Sequence, residues 1–468
     1  MSDITEFVSY KVIVGSLALA FIAGDQTLDA CIARAIVAVG DERDWLTPLA
    51  TCYLHEYAGN ARPRQRDVAR FLLSELWSAE ESIVEENYDE HEQEYFEEYT
   101  EVKRANIKVH AWLMSPAPMR PIALAADWNV PTIETVADLA AWFNVSVNEL
   151  EWLAGIKTLL RKNRNSPLHH YHYRVVEKQS GGIRLIEAPQ KRLKQMQRKI
   201  LTEVLDRVPN YYNAAHGFVK GRSVQTFAAP HVGKRVVLRM DLQDFFPRIN
   251  RARVQAVFRT LGYPEHVADI LGALCSNTTP SAVFSGVLLP TMNVRTLFDV
   301  RQLYCRPHLP QGAPTSPALA NMCAYHLDCR LAALADWARA EYTRYADDLA
   351  FSGGDEFRRH VERYSTQIAT IVSDEGWSVH HRKTRIMNQS VRQHLAGIVV
   401  NEKLNVARRD YDTLKATLTN CVRLDATSQN RDHVPNFRAH LTGRVAWVAS
   451  LNAGRGKRLR DILEQITW

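Results

Sequence analysis

No uncharged apolar run near the start of this chain is long enough to cross a bilayer. Val12 to Gly24 falls short of the roughly 20 residues a spanning helix needs, and it lacks the basic flank and cleavage pattern of a signal peptide. That absence predicts a cytoplasmic protein with no membrane partner. Cysteine is sparse and scattered (Cys31, Cys52, Cys275, Cys305, Cys323, Cys329, Cys421), without a C-x-x-C pair, which excludes a zinc ribbon and a disulfide framework. His169-His-Tyr-His172 and the group Cys323, His326 and Cys329 also lack familiar zinc spacing, and read as hinge or packing residues. Internal repeats are missing, as are low-complexity tracts apart from one acidic run. What remains is a globular composition, 46% hydrophobic over 468 residues, enough for about two to four structural units.

Basic residues are scarce in the first third. Residues 1–160 hold 12 Lys and Arg against 26 Asp and Glu, and residues 161–468 hold 46 against 26, so a net −14 is followed by +20. Between Glu80 and Glu101 there are eleven acidic residues and no Lys or Arg. This run reads as a solvated helix face or linker, or as a surface that repels stray nucleic acid. The basic remainder is the footprint expected for a polyanionic partner, although charge alone does not separate nucleic acid from anionic lipid.

The first 160 residues have helical spacing, seen in Leu28, Ile32, Ile36 and Val37. Ser115-Pro-Ala-Pro-Met-Arg-Pro121 breaks the pattern as a linker, and Thr135 to Trp142 and Ser146 to Leu153 read as two capped helices. From Tyr171 the period changes. Tyr173–Val176, Gly182–Ile186 and Arg235–Asp241 are strand-like, whereas Lys191–Val208, Arg251–Leu261 and Ser316–Ala340 are helical. The expectation is an α+β fold with a small antiparallel sheet behind an α-helical N-terminal region.

Two acidic sites carry the chemistry. Tyr345-Ala-Asp-Asp-Leu-Ala-Phe351 sets adjacent carboxylates inside an apolar hairpin, which is costly unless a cation neutralises them. Arg239-Met-Asp-Leu-Gln-Asp-Phe-Phe-Pro247 ends a buried strand, with Pro247 expected to stop it and Phe245 and Phe246 on opposite strand faces. Between them lies Leu309-Pro-Gln-Gly-Ala-Pro-Thr-Ser-Pro317, a Gly/Pro turn that opens a helix. Nucleotidyl transfer uses two Mg²⁺ ions about 3.5–4 Å apart, and carboxylates are the hard ligands they take.

In this order the motifs resemble those of bacterial retron and group II intron reverse transcriptases. The set is Gly181-Gly-Ile-Arg-Leu-Ile-Glu-Ala-Pro189, His216-Gly-Phe-Val-Lys-Gly-Arg-Ser223, the Asp241 strand, Gln311-Gly-Ala-Pro-Thr-Ser-Pro317, Tyr345-Ala-Asp-Asp348 and Lys383-Thr384. The chain looks most similar to long, myxobacterial-type retron enzymes. It departs from them in Phe227-Ala-Ala-Pro-His231, where they carry Asn first, and in Leu395-Ala-Gly397, where they carry V-T-G.

The resemblance implies a right-hand polymerase. Residues 1–120 would be a helical acidic extension, 121–168 a helical connector, 169–235 the fingers with part of 250–310, 236–400 the palm and 401–468 a helical thumb. It implies Asp241, Asp347 and Asp348 as catalytic metal ligands with Leu242, two Mg²⁺ ions, and Mn²⁺ as a possible substitute. It places Lys178, Arg184, Asp244, Phe245, Phe246, Gln311, Gly312 and Lys383 about the incoming nucleotide, with Phe246 as the gate against a ribose 2′-hydroxyl. Arg222, Arg408, Arg409, Arg438, Arg444, Lys457 and Arg458 are the expected nucleic-acid contacts, since an A-form duplex is held largely through phosphate and 2′-hydroxyl groups.

The implied activity is RNA-directed DNA synthesis on a structured noncoding RNA, primed from an RNA 2′-hydroxyl and giving a branched RNA–DNA hybrid for antiphage defence. The partners would be that RNA and its cDNA, dNTPs, an effector protein or a second copy of the chain, and a host RNase H, because no acidic cluster remains for an RNase H site. A defence-associated reverse transcriptase with another RNA or with protein priming, and a catalytically idle RNA-binding scaffold, are the alternative readings.

Overall fold

The computed structural model describes residues 3–57, 63, 65–81, 109–111, 113, 118–155, 170–178, 183–209, 213–284 and 294–468. The chain divides into two compact units, residues 1–117 and 118–468. The acidic run from Glu80 to Glu101 lies almost wholly outside the described residues.

The first unit is helical: α1 (Asp3–Ile22), α2 (Leu28–Val39), α3 (Leu46–Glu56) and α4 (Gln65–Glu81). Leu17, Phe21, Cys31, Ala35, Leu46, Leu49, Tyr53 and Leu72 recur at helical spacing and form one buried cluster. Arg34 reaches back from α2 to the end of α1, donating from Nε to the Ala20 carbonyl (2.7 Å) and from Nη2 to that of Asp25 (2.9 Å). It satisfies carbonyls that a helix C-terminus leaves without partners. No helix among the described residues is long and apolar enough to cross a membrane.

The second unit opens with α5 (Val136–Phe143) and α6 (Val147–Leu153). Thr135 and Asp138 form a reciprocal capping box, and the Ser146 side chain accepts from the Glu149 N–H. A two-stranded antiparallel hairpin follows, β1 (Tyr171–Glu177) with β2 (Ile183–Pro189), then α7 (Lys191–Glu203) and α8 (Val224–Ala228).

The central sheet has four antiparallel strands in the order β4-β5-β3-β6: β3 (Val236–Asp241), β4 (Ala340–Tyr345), β5 (Asp348–Gly353) and β6 (Arg385–Asn388). β3 is buried on both faces, which is why it reads as a near-continuous apolar run. The other helices of this region are α9 (Arg251–Thr260), α10 (Glu265–Leu274), α11 (Val294–Tyr304), which packs on the β1–β2 hairpin through Leu297, Val300 and Tyr304, α12 (Ser316–Cys323), α13 (Tyr325–Trp337) and α14 (Asp355–Asp374). The last buries Phe357, Val361, Tyr364, Ile368 and Val372, one stripe of an amphipathic helix.

A small hairpin of β7 (His394–Leu395) and β8 (Ile398–Val399) leads to α15 (Arg408–Arg423), α16 (Ala426–Gln429), α17 (Phe437–Leu451) and α18 (Ala453–Leu463). These C-terminal helices close on their own core of Leu414, Leu418, Leu441, Val445 and Leu459.

Three sequence expectations need correction. Ser316–Ala340 is two helices, broken at Ala324, with Ala340 already in β4. β3 ends at Asp241, well before Pro247, because Leu242 and Gln243 leave the ladder to bond Asp347 and Ser378. Phe245 and Phe246 therefore occupy turns rather than opposite faces of a strand.

Candidate active site

Register places the acidic motifs together. In the β3–β5 ladder Asp241 lies directly opposite Asp348, and the Leu242 N–H donates to the Asp347 carbonyl at 2.8 Å. All three carboxylates therefore stand at one end of the sheet. Ala346 makes the tight turn between β4 and β5 with a φ of 55°.

That turn is held from several sides. Gly217 lies so close that a Cβ would sit 2.5 Å from the Ala346 nitrogen, so glycine is required by the approach of two backbones. Segment 214–216 runs beside β4, with Arg344 donating its N–H to the Ala214 carbonyl and His216 donating to that of Arg344. Arg344 is fully buried and bonds Asp328 through Nε (2.7 Å) and Nη2 (2.6 Å), while Nη1 reaches the Ala346 carbonyl at 3.2 Å. Burial works against its charge, but Asp328 and its hydrogen bonds hold the guanidinium ionised.

Two cations face the carboxylates. Lys383 Nζ contacts both oxygens of Asp241 (2.9 and 3.0 Å), and Arg239 donates twice to Asp348 Oδ1 and once to Oδ2 (2.8–3.1 Å). Burial raises the Asp348 carboxyl, with Arg239 opposing it. Asp347 is pushed up to about 6, first by burial and then by the charges of Asp241 and Asp348. Clustered carboxylates in such surroundings, all hard oxygen donors, suit divalent cations. Among the described residues no three His, Cys, Asp or Glu side chains form a ready-made metal cage, and Asp241 and Asp348 are drawn instead onto Lys383 and Arg239.

The other expected site residues divide into several groups. Phe245 is buried and stacks on Trp377 (6.1 Å), whereas Phe246 is half-buried with the Phe218 ring 6.0 Å away. Lys178 pairs with Asp244 at 3.2 Å, linking the β1–β2 hairpin to the segment after β3. Arg184 is exposed on β2.

On the same strand the buried Glu187 accepts from Asn277, Thr279 and His308 (2.7–2.8 Å), and its N–H donates to the Gln311 carbonyl at 2.9 Å. Gly312, at φ 137°, lies where a Cβ would be 2.8 Å from the Glu187 carbonyl oxygen. The Gln311–Gly312 turn is thus laid against the hairpin that carries Arg184.

Arg222 donates to the carbonyls of Asn213 and Ala215 at 2.7 Å, so its guanidinium holds the 213–215 segment. Arg408 pairs with Asp412, Arg438 lies over the Trp468 ring, and Arg409, Lys457 and Arg458 are exposed. His326 is turned onto Glu375. Sequence reasoning missed Arg239, Arg344, Asp328, Gly217 and Glu187. Only Arg239, inside the otherwise apolar β3, carried a signal.

Residues 176–400 match the family described as reverse transcriptase (RNA-dependent DNA polymerase), whose domains generally use divalent metal ions. The chain is 39% identical to the retron Mx65 reverse transcriptase of Myxococcus xanthus over 72% of its own length and 73% of that protein. It is 35% identical to the retron Mx162 reverse transcriptase of the same organism over 72% and 67%. The retron Ec86 enzyme of Escherichia coli is 29% identical over 53% and 69%. The chain belongs to the retron reverse transcriptases, which are RNA-directed DNA polymerases.

Proposed function

We propose that this enzyme copies one cognate structured noncoding RNA into single-stranded DNA, primes from a 2′-hydroxyl of that RNA, and leaves a branched RNA–DNA hybrid used in antiphage defence. The supporting observation is the Asp241–Asp348 register with Asp347 alongside, which gathers three chain-distant carboxylates at one strand end. Asp241, Asp347 and Asp348, with the Leu242 carbonyl, would hold two Mg²⁺ ions, for which Mn²⁺ can substitute. Bound there, the ions supply activation of the attacking hydroxyl and charge stabilisation at the leaving phosphates.

The chain's own groups do the rest. Lys383 and Arg239 keep the acids ordered, and Lys383 stands ready to move onto the leaving pyrophosphate. Arg184 and Lys178 receive the triphosphate beside Asp244, while Gln311 and Gly312 position template and nucleotide. Phe246, backed by the buried Phe245, excludes a 2′-hydroxyl. The thumb, residues 401–468, offers Arg408, Arg409, Arg438, Arg444, Lys457 and Arg458 to duplex phosphates, with Arg222 near the palm. Residues 169–235 serve as fingers and 236–400 as palm, with 1–120 and 121–168 as extension and connector. The setting is cytoplasmic, with a host RNase H removing template and an effector protein or a second copy of the chain as partner.

The test is primer extension on an RNA template. Asp347→Asn and Asp348→Asn should lose DNA synthesis while RNA binding persists, because the acids serve the metal and the basic face serves phosphate. Extension by Asp348→Asn at the wild-type rate would refute the site assignment. Absence of a 2′,5′ branch in DNA made on the RNA encoded beside the gene would refute the priming.

A further inference from the structure

Gly443 lies in the middle of α17 with helical dihedrals, exposed, and a Cβ added there would meet nothing within 4 Å. A glycine inside a helix is destabilising relative to alanine, because it loses more backbone freedom on folding. Neither a positive φ nor a close internal neighbour offsets that cost here. A group approaching from outside would account for it.

Gly443 forms part of the wall of a groove of about 480 Å³ between α17, the start of α15 and the β7–β8 turn. This lies within the few hundred to 1,000 Å³ of small-ligand sites. The floor is apolar, made by the buried Val406, Leu414 and Val448. Trp447, 39% exposed, is one wall, and the polar lining is Asp410, His440 and Arg444.

A narrow apolar floor whose polar lining mixes an acid with Arg444 and His440 does not suit a run of phosphates, although Arg444 can take a single one. It suits an unpaired nucleobase, whose two faces are apolar and whose edge carries N–H donors. RNA is read mainly through such splayed-out bases, stacked on aromatic rings and hydrogen-bonded at their edges. Guanine presents two adjacent donors, N1–H and N2–H, which match one carboxylate.

We propose that this groove binds a single unpaired base of the enzyme's RNA, guanine by preference, stacked on Trp447 with Asp410 on its donor edge, Arg444 on the flanking phosphate and Gly443 leaving room for the ring. The proposal rests on the reading of the C-terminal helices as an RNA-binding face and adds what that face selects.

The experiment uses the full-length chain and fluorescent RNA hairpins of equal length, one fully paired in its stem and others with a single bulged G, A, C or U. The wild type should bind the bulged-G hairpin about tenfold more tightly than the paired one, the order expected for one stacked base. Gly443→Leu, which fills the groove, should abolish that preference while binding of the paired hairpin stays within about twofold. Gly443→Ala should melt no lower than wild type, which shows that the position tolerates a side chain. Trp447→Ala should lose the preference and Trp447→Phe should recover most of it, while Asp410→Asn should level G with A. A preference retained by Gly443→Leu, or equal loss on paired and bulged hairpins, overturns the proposal. Primer extension on a generic template is run in parallel. Intact extension with no bulge preference in the wild type sinks the groove alone, whereas absent wild-type extension sinks the polymerase reading.

Discussion

At the scale of single residues, Asp347 and Phe246 give the sharpest expectations. A carboxyl held at about 6 against an ordinary 3.8 binds its proton more tightly in the native state than in the unfolded chain. Its protonation therefore supports the fold below about pH 4, and that support is lost as the pH rises through 6. In metal-free protein at pH 7.5, Asp347→Asn should remove the unfavourable charge and stabilise by on the order of 1–2 kcal/mol after solvent screening, with little change near pH 4. Saturating Mg²⁺ should reverse the order, since only the wild type gains binding energy. Melting curves with and without EDTA check both signs. At Phe246, Phe246→Ala should admit ribonucleotides at least about tenfold more readily, a difference of only about 1.4 kcal/mol between competing transition states. Phe245→Ala, by contrast, removes a buried ring packed on Trp377 and should cost about 3–5 kcal/mol of stability. Parallel single-nucleotide incorporation with dNTP and rNTP, and urea unfolding, separate the two.

At the scale of elements, the β4–β5 hairpin depends on a buried ion pair. Asp328→Ala leaves the Arg344 guanidinium uncompensated and should destabilise by about 3–5 kcal/mol. Asp328→Ala combined with Arg344→Met removes both charges and should recover most of that stability. It should not recover DNA synthesis, because the bond from Nη1 to the Ala346 carbonyl beside Asp347 is gone. Urea unfolding paired with primer extension tests the split, and full activity in the double variant would refute this role of Arg344.

The same hairpin shows what the sequence could disclose. β3 was visible because a strand buried on both faces has to be apolar throughout, and Asp347-Asp348 was visible because adjacent acids are costly in such surroundings. The capped helices at Thr135 and Ser146 followed from local hydrogen-bonding chemistry. The Asp328–Arg344 pair was not legible, since an acid on a helix announces nothing about a strand 16 residues on. Nor was Gly217, whose need for glycine arises only when its backbone meets Ala346. Asp241 was legible as the strand end, but Pro247 was the wrong cause: proline is a local signal, whereas the departure of Leu242 and Gln243 from the ladder is set by partners far along the chain.

For the molecule as a whole, the division at residues 117 and 118 offers a cleaner cut than any composition shift. Residues 1–117 hold 10 Lys and Arg against 21 Asp and Glu, so removing them takes the net charge from +6 to +17. Every polymerase motif lies in what remains, with its own core. The 118–468 fragment should therefore unfold cooperatively and extend a primer on RNA at a rate within a few-fold of the full chain. Its binding to random-sequence RNA should be tighter at about 50 mM salt, because the deleted anions no longer oppose a polyanion. That gain should shrink as salt rises and screening shortens to about 3 Å at 1 M. The full chain would then discriminate better between its own RNA and bulk nucleic acid, with the acidic region acting through charge and not through catalysis. Filter binding of both proteins across a salt series, with circular dichroism to establish folding, decides the matter. A folded fragment that fails to extend would make the N-terminal unit part of the polymerase, and equal low-salt affinities for random RNA would remove its electrostatic role.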